Sequence, residues 1–491
     1  MQDTLNAAIQ KHTAGDLAGA EALYRQVLQQ NPRHPVALHM LGGIALTVGN
    51  PTVAVELIGA AVAQQPAYFE AHSNLGHALL ELGRGEAAAA SCERAIAIKE
   101  DFPEAHFNLA NALHALQRYE PAMRHYQRAL ALNPEYTAAY ANLGLVQQEL
   151  GQSTAAIDNF NKALAREPRF AQVHNNLGNL YTAARDLERA VHHYQQALAI
   201  APQFAEARSN LGIVHKQRGE NTEAIACLQA ADPEGRHPKN APILLELYYI
   251  TGDYDAYERQ LALIAQQQPI NFRAASTSAF AAQQLGRDNP YRFCDEPLDF
   301  VACYDLVASG DVDTAMIDGI KQAIADNRAC EQFAPGHITE GYKSVGNLFL
   351  QRSAVIAPLE QSIARCIDQY RSERQAIDCP MIKNWPQQHN LDGWYIRLLK
   401  GGEVSAHTHE GWLSGVFYLD VPEDKTHDDG NIEFTLRGYD LPVAREDYPR
   451  KTITTKPGLL VLFPSSLPHR VLPFAGQRER ISIAFDLIPA R

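Results

Sequence analysis

Through the first half of the chain one pattern of apolar and small positions returns every thirty-four residues. Leu41, Leu75, Leu109, Leu143, Leu177 and Leu211 keep that spacing, and each is followed by Gly except Leu109, which precedes Ala110. In the same register stand Ala20, Ala54, Ala88, Ala122, Ala156, Ala190 and Ala224, then Ala61, Ala95, Ala129, Ala163, Ala197 and Ala231. Small residues at these places predict paired helices that approach closely, and Pro32, Pro66, Pro134, Pro168 and Pro202 predict where the second helix of a pair stops. A single pair cannot bury its apolar face, so the pairs must stack into a superhelix with a concave groove. From residue 393 the period changes to two. Alternation there predicts short strands at 394–400, 404–408, 413–420, 431–436, 451–455, 459–463, 468–472 and 480–487, the count and turn spacing of a jelly-roll barrel. Between the two halves, 314–327 and 353–374 read as amphipathic helices, with 342–347 a loop or short extended stretch.

The thirty-four-residue period is the tetratricopeptide signature. It assigns 1–231 to repeats and 232–287, where the pattern fades through a Pro/Gly-rich turn, to a degenerate helical cap and linker. Residues 288–491 then form the barrel domain. Asn74, Asn108, Asn142, Asn176 and Asn210 precede the signature leucines and should line the groove. Asn is a poor helix-interior residue, so five in register ask for a reason. Their amides can pair with the backbone of an extended protein or peptide partner without reading its sequence. The series resembles the asparagine ladder in the repeats of O-linked N-acetylglucosamine transferases; the alternative is that these amides only bond to neighbouring helices. His72, His106 and His174 share another repeat position and read as groove lining, not as metal ligands.

Chemistry concentrates in the barrel. His407-Thr408-His409 at a strand mouth puts two imidazoles on one face, and His469 lies just past the end of the apolar strand 459–463. Imidazoles suit iron, zinc, copper and nickel alike. Arg480 and Ser482 share a face of the last strand, a guanidinium and a hydroxyl matched to a carboxylate. Tyr395 and Tyr418 read as core aromatics, and His427-Asp428-Asp429 as a solvated loop able to close over the barrel mouth.

The segments 394–402, 407–419, 457–458, 463–469 and 480–482, with 289–290 and 345–349, resemble bacterial 2-oxoglutarate- and Fe(II)-dependent oxygenases often fused to tetratricopeptide repeats. The resemblance implies a double-stranded β-helix that uses Fe(II), 2-oxoglutarate and O2, most often as a hydroxylase. It implies that His407 and His469 bind iron and that Arg480 with Ser482 holds the 2-oxoglutarate carboxylate. One place departs from the wider superfamily: its iron carboxylate stands two residues after the first histidine, where this chain has His409. Three completions follow: His409 as third ligand, His409 and His469 with water, or a carboxylate from Glu410 or Glu433. The competing reading is a non-catalytic repeat scaffold with a cupin-like metal- or ligand-binding barrel, although the glutamate cupins place after the second histidine is replaced by Trp412, Leu413 and Ser414.

Charge and composition narrow the partners. A net charge of -13, without a Lys/Arg-rich run, argues against nucleic acid, and no apolar stretch of ~18 residues argues for a membrane span. The first residues lack a secretory signal, so a cytoplasmic location is expected. Seven scattered cysteines fit reduced, mostly buried thiols.

Overall fold

The structure is a computed structural model that describes residues 1–490 except 269, 295, 327, 329–330, 334–336, 351–353, 423–428, 439–440, 474–475 and 477; the side chains at 332 and 333 are likewise not described. It divides into two compact units, Met1–Val214 and His215–Arg491. No helix among the described residues is long and apolar enough to cross a membrane.

In the first unit the small residues do what their spacing predicts. Ala54, Ala88, Ala122, Ala156 and Ala190, and with them Ala61, Ala95, Ala129, Ala163 and Ala197, are all fully buried between helices. A methyl group on Gly144, in helix Thr137–Glu149, would sit 2.7 Å from the Phe160 ring of the paired helix Ser153–Arg166. Only a residue without a side chain lets that aromatic pack onto the helix backbone. The turns inside the pairs repeat a left-handed position at Gly15, Gly49, Gly83 and Gly151, where Cβ would be strained; Gln117 and Arg185 hold the same place at φ 59° and 60°.

The second unit begins with helices Asn221–Ala231, Asn240–Thr251, Tyr254–Gln267 and Phe272–Leu285. Glu246, fully buried, is held by Lys216 and Arg273, whose charges keep its carboxyl below the usual range against the cost of burial. Two of these helices, Asn240–Thr251 and Phe272–Leu285, pack directly on the barrel. Buried Gln284 donates to the Arg445 carbonyl at 2.9 Å and accepts from the Ala444 and Arg445 amides, Tyr249 donates to the Pro442 carbonyl, and Phe280 meets Tyr448 edge-on.

The barrel strands are β1 (Ala302–Asp305), β2 (Glu331–Phe333), β3 (Ile338–Ser344), β4 (His389–His407), β5 (Leu413–Asp420), β6 (Ile432–Thr435), β7 (Arg450–Ile453), β8 (Leu459–Pro464), β9 (His469–Val471) and β10 (Arg480–Pro489). All pair antiparallel in the order β1-β8-β5-β10-β4-β9-β6-β7, with β3 on β4 and β2 on β3, and the sheet curls into a half-barrel. The predicted strands 394–400 and 404–408 are one strand. β4 runs unbroken through Gly401, at φ 79°, and a bulge by which its first part pairs with β10 and its last residues pair with β9. The stretch 342–347 is partly β3, while β1 and β2 are too short and too irregular in pattern to announce themselves. Apolar β8 is buried along its whole length, and Phe434 and Phe463 pack the floor beneath His469.

Candidate metal and co-substrate site

Two strand ends bring the histidines together. β4 ends on His407, which is the direct cross-strand partner of His469, the first residue of β9. His409 lies two residues beyond β4 and is pinned by its backbone N–H, which donates to the Ser465 carbonyl at 3.0 Å. The ligating nitrogens of the three lie within 4.8 Å of one another, and no carboxylate among the described residues joins the group. His409 Nε2 and His469 Nε2 are 3.3 Å apart.

Each ring is also oriented from behind. His407 Nδ1 is 2.8 Å from the Ser405 carbonyl, His469 Nδ1 is 3.3 Å from the Leu467 carbonyl, and His409 Nδ1 is 3.1 Å from the Asp486 carboxylate. Carbonyl and carboxylate oxygens only accept, so Nδ1 carries the proton in each ring and the Nε2 lone pairs face one another. Burial, with the neighbouring imidazoles adding to it, pulls His407 down to about 3 and His469 well below its ordinary value, so both stay neutral and ready to ligate. A fourth ring, His337, stacks on His407 at 5.2 Å; nothing in the sequence pattern singled it out.

The proposed carboxylates lie elsewhere. Glu433 shares β6 with Phe434, whose ring faces His469, and period-two alternation turns Glu433 the other way, where Arg470 binds it at 2.7 Å. Glu410 is exposed. His407, His409 and His469 lie together, and neither Glu410 nor Glu433 belongs to the cluster.

The triad opens into a cavity of ≈ 460 Å³ whose lining includes Arg480, Ser482 and Tyr418. Ser482 is paired across the sheet with Tyr418 on β5 and with Ile396 on β4, which fixes all three on the cavity face. Arg480, 1% exposed, donates through Nε to the Gly430 carbonyl. The guanidinium stands 4.9 Å from the Tyr418 ring centre and interacts with the buried Tyr418 hydroxyl. A buried guanidinium and two hydroxyls, those of Tyr418 and Ser482, thus border one side of the cavity. Tyr418 is a core aromatic, fully buried in the barrel's apolar cluster, that also borders the cavity. Tyr395 alternates onto the opposite face of β4 and does not line the cavity. Lys343, on the same cavity face of β3, lays its ammonium 3.9 Å over the Trp394 ring, and Trp394 stacks on His409.

In the repeats, four of the five ladder asparagines bond to the preceding repeat. Asn108 Nδ2 donates to Ser73 Oγ at 3.0 Å, Asn142 to Asn111 Oδ1 at 2.9 Å and Asn210 to Asn175 and Asn179, while Asn74 Nδ2 meets His39 Nε2 at 2.8 Å. Asn176 is buried and accepts from Gln172. The repeat histidines turn to local partners: His72 to the Pro66 carbonyl, His106 to His125 and His174 to His193. Of the loop at His427-Asp428-Asp429, the first two residues lie outside the described residues.

Residues 392–486 match the family model described as "Putative 2OG-Fe(II) oxygenase", a span that contains the triad, Arg480 and Asp486. Tetratricopeptide models match 39–101, 137–170, and 110–151 with 178–219. The chain thus carries tetratricopeptide repeats in its N-terminal region and a domain of that oxygenase family in its C-terminal region. No curated protein matches it. Similar solved structures include MamA, at 28% identity over 34% of this chain and 96% of that one with a TM-score of 0.30. They also include Pseudomonas aeruginosa pilF, at 18% identity over 42% and 94% with a TM-score of 0.39. YrrB, titled a TPR protein with an unusual peptide-binding site, matches at 18% identity over 40% and 97% with a TM-score of 0.32.

Proposed function

We propose that residues 288–491 form an Fe(II)- and 2-oxoglutarate-dependent oxygenase that acts as a hydroxylase, and that the repeats of 1–231, closed by the helices of 232–287, recruit a protein or peptide. The observation that carries this reading is the pairing, in one cavity, of three converging imidazoles with a buried guanidinium flanked by two hydroxyls. His407, His409 and His469 would hold Fe(II), for which a set of neutral imidazoles is a suitable donor set that leaves positions open. Arg480, Ser482 and Tyr418 would hold the far carboxylate of 2-oxoglutarate. Bound together, metal and keto acid supply O2-dependent oxidation of a C–H bond coupled to decarboxylation of 2-oxoglutarate to succinate and CO2.

The chain's own part is positional. Backbone carbonyls and Asp486 keep each Nδ1 protonated, so the metal meets only lone pairs. Val416, Ile432 and Phe463 line the cavity with apolar surface, which limits water near the oxidising centre. In the repeats, the ladder amides spend their N–H donors on neighbouring helices, which leaves the Oδ1 atoms of Asn74, Asn108, Asn142 and Asn210 as acceptors for the N–H groups of an extended chain.

Anaerobic titration with Fe(II) and 2-oxoglutarate tests the oxygenase. A metal-to-ligand charge-transfer band, together with succinate formation in air that His469→Ala abolishes, is the expected result; a protein that gives neither is a scaffold. For the repeats, binding of an extended-peptide library should weaken in a full chain carrying Asn108→Leu and Asn142→Leu, and unchanged binding would remove the ladder from the account.

A further inference from the structure

A carboxylate stands one imidazole away from the proposed metal position. Asp486, 8% exposed on β10, takes the His409 Nδ1 proton donor on Oδ2 at 3.1 Å, and its Oδ1 accepts from Ser414 Oγ at 2.6 Å. Ser414 Oγ is in turn 2.7 Å from Ser465 Oγ, and the Ser465 carbonyl receives the His409 backbone amide. Both ends of His409 are therefore tied into one buried cluster. His407 and His469 lean on neutral carbonyls instead, so within the triad the anionic partner belongs to His409 alone. That is also the residue standing where the superfamily's carboxylate ligand would be.

We propose that Asp486 supplies through His409 what a carboxylate ligand supplies directly, which makes it a positioning residue for the metal centre. Three neutral imidazoles leave a ferrous ion its full charge of about +2, whereas two imidazoles and a carboxylate leave about +1. A carboxylate on the far side of an imidazole fixes its tautomer and strengthens its donor nitrogen, and so returns part of the missing negative charge. The surroundings suit the role. Ser414 fills the second oxygen of Asp486, and Trp394 stacks on His409 at 5.8 Å with 19° between the planes. Ser414 also faces Asp486 across β5 and β10, so the sheet register itself holds the pair.

The inference rests on the triad as the iron site, and its test reads metal affinity on the full chain without turnover. Co(II) titration followed by its visible absorption should show Asp486→Asn binding roughly 10–100-fold more weakly than wild type, with Asp486→Glu recovering part of the loss. In a His409→Asp background, which restores a carboxylate beside the metal, Asp486→Asn should change affinity by less than about threefold. Circular dichroism establishes that each variant folds. An equal loss in both backgrounds would make Asp486 a structural residue, and wild-type affinity in Asp486→Asn would overturn the proposal outright. If His409→Asp does not fold, Asp486→Glu no better than Asp486→Asn overturns it as well. A wild-type protein that binds no metal removes the triad reading itself.

Discussion

His407 and His469 are direct cross-strand partners, their ring centres 4.5 Å apart, although β4 and β9 are far apart in the chain. A pairing of this kind is set by sheet register, and a slip of one residue would turn either ring to the other face. Neither ring has a charged partner to lose, so replacing one should affect metal binding far more than folding. His407→Ala and His469→Ala should each weaken Co(II) or Fe(II) binding by more than the ~10–100-fold of an outer-shell change, while the circular dichroism spectrum stays that of the wild type. Isothermal titration under argon checks this.

The carboxylate cradle gives a graded prediction. Arg480→Ala removes a buried charged donor and should weaken 2-oxoglutarate binding to the metal-loaded, oxygen-free protein by about 2–5 kcal/mol. Arg480→Lys should recover little, because an ammonium cannot replace a planar fork already tied through Nε to the Gly430 carbonyl. Tyr418→Phe deletes one hydrogen bond to a charged group, about 1.5–3 kcal/mol. Should Tyr418→Phe bind the keto acid as tightly as wild type, the hydroxyl is not part of the cradle.

Much of this could be read in the chain beforehand, for definite reasons. Stacked repeats copy one solution to one packing problem, so Gly144 and Ala156 recur with their period and the pattern is visible. His407, His409, His469, Arg480 and Ser482 were visible because alternation tells which residues share a strand face. What stayed hidden depends on contacts between distant segments. Asp486 looks like any polar residue in an apolar strand until His409 and Ser414 close around it, and Tyr418, a core residue as read, gives no sign that it also borders the cavity beside Arg480. β4 read as two strands because the Gly401-Gly402 pair, a turn signal by composition, here serves a bulge within one strand. The repeat period alone leaves two readings of the ladder asparagines, peptide contact or bonds to neighbouring helices, and the N–H groups of Asn74, Asn108, Asn142 and Asn210 are spent between repeats because a half-buried amide takes the nearest acceptor.

The repeats should weaken in acid. His39, 4% exposed, is pulled down to about 4, mainly by burial and further by the charge of His12. Asn74 Nδ2 can only donate, so His39 Nε2 accepts and Nδ1 donates to the Tyr68 hydroxyl; both nitrogens are satisfied in the neutral ring. A proton on Nε2 would face the Asn74 amide hydrogens. Because the folded value lies below the unfolded ~6.5, the unfolded chain binds more protons between the two, and stability falls as pH drops from about 6.5 toward 4. The loss reaches at most about 3 kcal/mol at ~1.36 kcal/mol per unit. Thermal melts of the full chain at pH 7 and pH 5 should differ less in His39→Gln than in wild type, and an equal pH dependence would show that His39 is not the group responsible.

The left-handed turn position offers a change in the opposite direction. Gly15, Gly49, Gly83 and Gly151 hold it at φ between 71° and 81°, and Gln117 and Arg185 hold it at φ 59° and 60° with a side chain attached. The geometry is compelled by the chain: the Gln117 amide closes on the His114 carbonyl at 2.8 Å, and the next amide, Arg118, reaches back to Leu113 at 2.9 Å, the bonds that end helix Pro103–Ala115. A side chain there costs ~1–2 kcal/mol, partly offset because glycine loses more freedom on folding, ~0.5–1 kcal/mol. Gln117→Gly and Arg185→Gly should therefore each stabilise the repeats by about 0.5–1 kcal/mol, and together by nearly the sum, since they stand two repeats apart and share no partner. Gly151→Ala should cost a comparable amount. A denaturant series on the four variants measures all of this at once, and a glycine that destabilises would mean that the turn draws on contacts of the Gln117 or Arg185 side chain instead of on backbone strain.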